Sequence, residues 1–186
     1  MSDYANVEDI SFRMESMHAT IVKKHITIIS QLLPFSLPPM GWSYSREKPQ
    51  DVIEFKTDTW RCMFSRINYV AGGKKLAFSE GKTGCEGAAC YLGFKEVNPG
   101  AGKFLAETER FKLNIGLGKD FYNQIQPIPT QHKYLILAPI EDISQDVNIE
   151  VVVLWVNALS LSGLVTLANF DRSSNNNVMI PFASTF

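Results

Sequence analysis

Apolar residues recur with a helical spacing in the first part of the chain. Between positions 14 and 33 they stand three, four or seven residues apart, which predicts a helix over 14–33 with one apolar stripe. The stripe comprises Met14, Met17, Ile21, Ile28 and Leu32, widened by Val22, Ile29 and Leu33. Pro34 ends this helix, and Pro38–Pro39 favour an extended linker before residues 41–45, whose alternation predicts a short strand.

A second helix is predicted over residues 59–71. Asp58 can serve as its N-cap, and Gly72–Gly73 as its stop. The apolar stripe of this helix comprises Trp60, Met63, Phe64, Ile67 and Ala71. At 100° per residue, the opposite face carries Cys62, Arg66 and Tyr69. Residues 75–79 follow as a predicted strand.

The middle of the chain has a weaker pattern. Residues 81–102 are rich in glycine, and within them residues 86–92 predict a short helix. Residues 107–117 fit a helix and a strand equally well, so both remain open. Residues 119–124 are predicted to be helical, and residues 126–131, which include two prolines, predict a loop.

Strand patterns return in the last third. Residues 133–140 and 150–156 are β-rich, and the second run is continuous enough to predict a central strand covered on both faces. Asn157 can cap a helix that runs to Phe170. The predicted stripe of that helix comprises Leu161, Leu164, Val165 and Ala168. Residues 177–183 then predict a final strand.

These elements predict an α+β fold with two related strand–helix–strand units. The first unit lies within about residues 35–97 and the second within about 130–186, after the N-terminal helix at 14–33. Each unit closes on an aromatic residue followed by small polar residues, but residue identity between the units is poor. The duplication is therefore an interpretation of pattern, and one compact domain over 1–186 contains both units in either case.

Composition and charge exclude several classes of protein. Among the 186 residues 45% are hydrophobic and 20% charged, with a formal net charge of −1, so a packed core is expected and a nucleic-acid partner is not. The acidic, polar start is not that of a secretory signal, and no apolar run approaches the roughly 20 residues that span a bilayer. Three cysteines are too few for a disulfide scaffold, so we expect reduced thiols in the cytoplasm. A nearly neutral surface leaves a homo-oligomer possible.

The cysteines carry the clearest candidate chemistry. Cys85 begins the short helix predicted over 86–92, and Cys90 lies about one and a half turns further on. Unpaired N–H groups at a helix start stabilise a thiolate, so we expect the pKa of Cys85 to be lowered. The spacing is not the Cys-x-x-Cys of zinc or thioredoxin sites, and small buried residues beneath a glycine loop are the simpler interpretation.

Cys62 adds to this case because it lies off the apolar stripe of its predicted helix. A cysteine facing water is usually avoided, so we expect that face to meet another element or a ligand. Cys62 and Cys85 are therefore the candidate metal ligands. The candidate cofactor-binding residues around them are Gly84, Gly87, Arg66 and Tyr69.

Several short stretches along nearly the whole chain carry a family resemblance. The main ones are Cys62–Met63 ahead of Ala71–Gly73, Cys85–Ala89 ahead of Tyr91–Phe94, and Tyr134–Glu141. Further matches are Pro38–Pro39, Val151–Asn157, Ser162–Val165 and Pro181–Ser184. In this order they resemble the uncharacterised family catalogued as domain of unknown function 169.

The resemblance implies a cytosolic α/β protein of anaerobic bacteria and archaea without an established reaction. It also implies cysteines at the positions of Cys62 and Cys85, and usually another just after the last strand. Family members usually continue beyond the position of Phe186, so we expect a chain that is short at its C-terminus. A site that needs a thiol from the second half is then in doubt, unless Cys90 substitutes for it.

Three functions remain open, and no catalytic residue can be assigned from the sequence. In the first, Cys62 and Cys85 hold a metal or an iron–sulfur centre as thiolate ligands. In the second, the protein binds or senses a small molecule in a cleft between the units, lined by Gly84, Gly87 and residues 160–163. In the third, Cys85 works with Cys62 or Cys90 as a thiol redox enzyme.

Overall fold

The computed structural model describes residues 17–56, 61–124, 131–173 and 177–178. The first half contains β1 (Met17–His18), α1 (Ala19–Leu32), β2 (Met40–Ser45), β3 (Ile53–Glu54), α2 (Ile67–Ala71), β4 (Leu76–Ser79) and α3 (Glu86–Tyr91). The second half contains α4 (Ala101–Lys103), α5 (Ile115–Asn123), β5 (Tyr134–Pro139), β6 (Asn148–Ile149), β7 (Val151–Val153) and α6 (Ala158–Asn169). Short turns of 3-10 helix cover Met63–Arg66 and Ile140–Asp142, and a π-helical turn covers Phe104–Thr108.

The described strands form one mixed five-stranded sheet and one small two-stranded sheet. The order in the larger sheet is β3–β4–β5–β2–β7, with β3 and β4 parallel and the other neighbours antiparallel. In the smaller sheet β1 pairs with β6. Helices and a mixed sheet together confirm the predicted α+β class.

The central strand is β5, and the prediction that residues 150–156 form it was wrong. Five of the six residues of β5 are buried, whereas the three residues of β7 are half-buried. In the described sheet β7 stands at the end of the order and pairs with β2 alone. A continuous apolar run is compatible with both positions, so the sequence could not distinguish a central strand from an outer one.

Both faces of the sheet are covered. One face packs Met40, Leu76, Phe78, Leu135 and Leu137 against a second set of apolar residues. These lie in the 3-10 turn before α2, within α2 and α3, or just after α3, and they are Met63, Ile67, Val70, Ala88 and Leu92. On the other face, α1 packs against a cluster that contains Ala138, Ile140, Ile143 and Ile149. The segment that leads into α2 and the helix α3 therefore lie on the same side of the sheet, where the candidate site is found.

The helix α1 presents a different face to the core from the one we predicted. Its buried residues are Ala19, Val22 and Ile26, whereas Ile21, Ile28 and Leu32 are 47%, 48% and 67% exposed. Apolar residues surround more than half of this helix, so periodicity alone did not determine its rotation. Two tertiary contacts determine it: the pairing of Met17 with Ile149, and the bond from Lys23 Nζ to the Glu141 carbonyl (2.8 Å).

The last helix, α6, begins where the sequence predicted but does not bury the predicted stripe. Asn157 is its N-cap, and the Asn157 side chain accepts a bond from the Ser160 N–H (2.8 Å). The buried residue of α6 is Ser160, whereas Leu161 is 52% exposed and Ala168 is also exposed. The N-cap of α6 could be predicted from the sequence because it depends on neighbouring residues. The buried face of α6 depends on the distant segment that the helix contacts, so the sequence did not predict it.

The remaining predictions are partly confirmed. Residues 107–117, which were left open, end the π-helical turn and begin α5, and residues 119–124 are mostly helical. The predicted loop 126–131 and strand 177–183 lie almost wholly outside the described residues. The relation between two strand–helix–strand units stays a prediction, because the second closing strand is among the residues not described.

Candidate ligand-binding site

The chain after β4 turns sharply and meets the segment that precedes α2. Gly84 has φ +86°, and the backbone N–H of Arg61 donates to its carbonyl at 2.9 Å. A Cβ at Gly84 would collide with the Arg61 carbonyl oxygen and lie 3.0 Å from Phe55 Cε1. Glycine is therefore needed here both for its backbone conformation and for the close approach, which brings the chain at Cys62 towards Cys85.

Cys85 caps the start of α3, as the sequence predicted. Its backbone is extended (φ −141°, ψ 152°), and its Sγ accepts a bond from the Ala88 N–H at 3.3 Å. The Thr83 hydroxyl, which is buried, donates to the Cys85 carbonyl at 2.9 Å. The Cys85 backbone is thus held by Thr83, and the Cys85 side chain by the first turn of the helix.

The prediction of a lowered pKa for Cys85 was wrong in direction. Burial raises the pKa of the Cys85 thiol, and the nearby charge of Cys62 raises it further. The bond from the Ala88 N–H opposes both effects but does not outweigh the burial. The helix-start effect is present, but a site removed from water penalises the thiolate more strongly.

A cavity of about 340 Å³ lies between α3 and the α4–α5 region. On the α3 side its lining residues are Cys85, Glu86, Gly87 and Cys90. On the opposite side they are Asn98, Gly100, Ala101, Phe104 and Tyr122. The two thiols therefore face a common space that is otherwise mostly apolar, with polar atoms from Glu86 and Asn98 at one edge.

The cavity wall opposite α3 depends on an unusually close contact between the helices α4 and α5. A Cβ on Gly118 of α5 would lie 2.9 Å from the Cα of Gly102 in α4. Helix α5 can therefore approach α4 closely enough for Tyr122 to pack with Ala101 and Leu105 in one small core cluster. At the cavity edge, the Asn98 amide donates to the Glu86 carboxylate at 2.8 Å and links the two walls.

Cys90 was the sequence candidate with the weakest support, yet it lines the cavity. It is 3% exposed, and burial raises the pKa of its thiol. Sequence reasoning missed Asn98, in the loop after α3, and also Phe104 and Tyr122, which come from the α4–α5 region. The glycines in residues 81–102 were the available signal, since they allow the close approaches that form the walls.

Of the other predicted site residues, Gly87 lines the cavity, whereas Cys62, Arg66, Tyr69 and Gly84 are not among the residues that line it. Cys62 is not on a helix as predicted: it is extended (φ −62°, ψ 136°) and precedes the 3-10 turn at Met63–Arg66. Arg66 lies over the ring of Tyr69, with 5.2 Å from Cζ to the ring centroid, and Tyr69 is 51% exposed. Gly84 supports the site through the Arg61 contact, while Gly87 lies in the wall itself.

The donor set for a metal is small. Within residues 17–56, 61–124, 131–173 and 177–178, no group of three His, Cys, Asp or Glu side chains is placed to hold a metal ion. The chain has three cysteines, one fewer than the four thiolates of the common iron–sulfur clusters. Among the described residues, the candidate donors to a soft metal are therefore the thiol pair Cys62 and Cys85.

A second set of titratable residues lies at the far end of β2. The Tyr44 hydroxyl donates to the Leu92 carbonyl at 2.9 Å, and its ring stacks on His132 with the centroids 6.1 Å apart. Burial, with a smaller effect from the charge of Glu150, raises the pKa of Tyr44 to about 12. Burial also raises the pKa of Glu150, against the opposing effect of His132.

The fold and the cavity define an α+β protein with a thiol-lined pocket beside its central sheet. The chain belongs to the family catalogued as domain of unknown function 169, described as "Uncharacterised ArCR", whose model matches residues 28–185. Searches of the curated proteins and of the solved structures found no match. None of the helices in the described part of the chain has the length and apolarity needed to cross a membrane.

Proposed function

We propose that the protein binds a small, largely apolar molecule in the cavity between α3 and the α4–α5 region, in the cytoplasm. The observation that carries the proposal is the cavity itself. Two cysteines, Gly87 of α3 and two aromatic rings are among the residues that line it. Its volume of about 340 Å³ falls at the lower end of the range typical of small-molecule sites.

The walls suggest how such a molecule would be recognised. Ala101, Phe104 and Tyr122 supply apolar surface, while the bonded pair Glu86 and Asn98 presents polar atoms at one edge. A ligand with an apolar body and one polar end matches this division. The Cys85 and Cys90 thiols stay protonated near neutral pH because burial raises both pKa values, so they serve as contact groups.

The same features disfavour a redox enzyme that uses Cys85 with Cys90. A thiol is a poor nucleophile until it ionises, and both pKa values are raised. Five residues along a helix correspond to a rise of roughly 7.5 Å. A disulfide needs Cα atoms within about 6.8 Å of each other, so α3 would have to unwind to form one.

The test uses neutral aromatic fragments and iodoacetamide on the whole protein. A fragment that occupies the cavity is expected to slow alkylation of Cys90, because this residue is 3% exposed and faces the cavity. The substitution Ala101→Phe fills the space and should abolish fragment binding measured by ligand-observed NMR. Leu113→Phe is the matched control, because Leu113 is 90% exposed and does not line the cavity. Equal binding to wild type and Ala101→Phe would refute the proposal.

A soft metal held by Cys62 and Cys85 is a second candidate. The supporting observation is the 2.9 Å bond from the Arg61 N–H to the Gly84 carbonyl, which joins the residues that precede the two cysteines. The charge of Cys62 also raises the pKa of Cys85. Two thiolates bind zinc or a similar ion when other ligands complete the coordination. Metal analysis of anaerobically purified protein tests this: a metal retained by wild type and by Cys90→Ser, but lost in Cys62→Ser, supports the pair, and metal-free wild type excludes it.

A further inference from the structure

The cavity between α3 and the α4–α5 region has one charged side chain among its described lining residues. That residue is Glu86, and none of the others is Lys, Arg or His. Lys103, which ends α4, is not among the lining residues and lies 3.7 Å from the Glu107 carboxylate in an ion pair. A ligand in the cavity therefore meets a carboxylate, and no cationic side chain among these residues.

The Glu86 carboxylate is oriented by Asn98. The Asn98 Oδ1 accepts from the Gly100 N–H at 2.8 Å, and with Oδ1 held in this way the amide nitrogen donates to Glu86 Oε2, also at 2.8 Å. Within the described part of the chain, Glu86 Oε1 accepts no hydrogen bond, and neither oxygen forms an ion pair. The carboxylate is therefore held in place by a neutral group, and no neighbouring cation neutralises its charge.

The backbone donors of the first turn of α3 do not compensate for this negative charge. The Ala88 N–H donates to Cys85 Sγ at 3.3 Å, and the Ala89 N–H donates to the Cys85 carbonyl at 3.2 Å. These two donors are therefore not available to an anion. An anion in the cavity would also be repelled by the Glu86 carboxylate, so the charge of the walls disfavours a carboxylate or phosphate ligand.

We propose that the ligand of this cavity is a small apolar amine whose ammonium group binds Glu86, an inference that rests on the proposed function. The ammonium group donates to Glu86 Oε1, and the hydrocarbon part packs against Ala101, Phe104 and Tyr122. Where the ammonium group comes within about 6 Å of a ring centroid, the face of that ring attracts it as well. A neutral alcohol of the same shape makes the apolar contacts but lacks the charge.

The expected preference for a cation is modest. The Glu86 side chain is exposed, so water screens its charge and the pair has the strength of a surface ion pair. This strength corresponds to an affinity about two- to fivefold higher for a cation than for a neutral molecule of the same shape. The advantage should weaken with added salt, because the screening length falls from about 30 Å at 0.01 M to about 3 Å at 1 M.

Three fragments of similar shape test the proposal on the whole protein. They are benzylamine, which is a cation at neutral pH, benzyl alcohol, which is neutral, and benzoate, which is an anion. In NMR titrations at low salt, benzylamine is expected to bind about two- to fivefold more tightly than benzyl alcohol, and benzoate most weakly. At about 1 M salt the advantage of benzylamine should disappear. Equal affinities for benzylamine and benzyl alcohol at low salt overturn the proposal, and so does tightest binding of benzoate.

Two glutamine variants show whether Glu86 causes the preference. Glu86→Gln keeps the shape of the side chain and an acceptor oxygen for Asn98 but removes the charge, so this variant should bind benzylamine and benzyl alcohol equally. Glu96→Gln is the matched control: it removes the same charge at an exposed glutamate that is not among the lining residues, so the preference should remain. Circular dichroism melts confirm that both variants are folded. A Glu86→Gln variant with the full preference for benzylamine overturns the proposal.

Benzyl alcohol separates this proposal from the proposed function beneath it. If benzyl alcohol binds wild type but not Ala101→Phe, and benzylamine binds no more tightly, the cavity is a binding site and the amine proposal alone is overturned. If none of the three fragments binds wild type, both are overturned. Benzylamine that binds Ala101→Phe as it binds wild type lies outside the cavity, which also overturns the amine proposal.

Discussion

Gly84→Ala is the substitution that tests the architecture beneath the candidate site. Gly84 has φ +86°, and a Cβ there would meet the Arg61 carbonyl oxygen and the Phe55 ring. Gly73 has nearly the same conformation, φ +82°, but a Cβ on it would meet nothing within 4 Å. The two alanine variants therefore share the conformational cost and differ in the steric one.

The magnitudes follow from these two costs. A non-glycine residue in the left-handed region costs about 1–2 kcal/mol, which is the whole effect expected for Gly73→Ala. Overpacking adds about 1–3 kcal/mol, and at Gly84 the obstructing atom is a backbone oxygen that cannot rotate away. Gly84→Ala should therefore cost about 2–5 kcal/mol of unfolding free energy.

Urea denaturation of both variants measures the difference directly, and thermal melts give the same ranking. For a chain of this size each kcal/mol lowers Tm by about 2–4 °C, so the additional loss at Gly84 should exceed the error of the method. A second readout is the alkylation of Cys85, whose pKa should fall once the segment at Cys62 is pushed away and the thiol is less buried. Equal losses in the two variants would refute the close contact between Gly84 and Arg61.

Three further predictions follow from the same structure. The alkylation rate of Cys85 should rise with pH, with the midpoint of the rise above that of an ordinary thiol, and Cys62→Ser should lower this midpoint. A midpoint below the ordinary value would contradict the argument that burial raises the pKa of Cys85. Glu150→Gln should raise Tm at about pH 7 and have little effect at about pH 4. The reason is that the pKa of Glu150 is raised in the folded state, so the protein loses stability as this carboxyl ionises with rising pH. An equal effect on Tm at both pH values would exclude the ionisation of Glu150 as the cause. Asn157→Ala should cost about 1 kcal/mol in urea denaturation, while Asn157→Asp, which keeps the cap to the Ser160 N–H, should cost much less.

The features that sequence predicted well are those decided within a few residues. Asn157 and Cys85 begin helices as expected, and Gly72–Gly73 end one, because caps and stops depend on local hydrogen bonds and backbone conformation. The strand at 75–79 was likewise readable, with Leu76 and Phe78 facing the core. These local signals are enough to establish the class of the fold.

The features that sequence could not predict depend on contacts between distant segments. The buried side of α1 is decided by its pairing with residues more than a hundred positions away, and β5 is central because β2 and β4 flank it. The pKa of Cys85 was predicted with the wrong sign for the same reason: a local helix-start effect was visible, whereas burial by other elements was not. The cavity is likewise invisible until α3 and the α4–α5 region are brought together.

The irregular backbone near the cavity lies on the side away from the thiols. Phe104 opens a π-helical turn, and Arg110, two residues beyond that turn, has φ +58°, a conformation that costs a non-glycine residue free energy. Such turns occur frequently at functional sites, and here the turn places the Phe104 ring in the cavity wall. The α3 side of the cavity, by contrast, is a regular helix turn in which the Cys85 side chain accepts a hydrogen bond from the Ala88 N–H. Ligand selectivity is therefore expected to depend more on Phe104 and Tyr122 than on the cysteines.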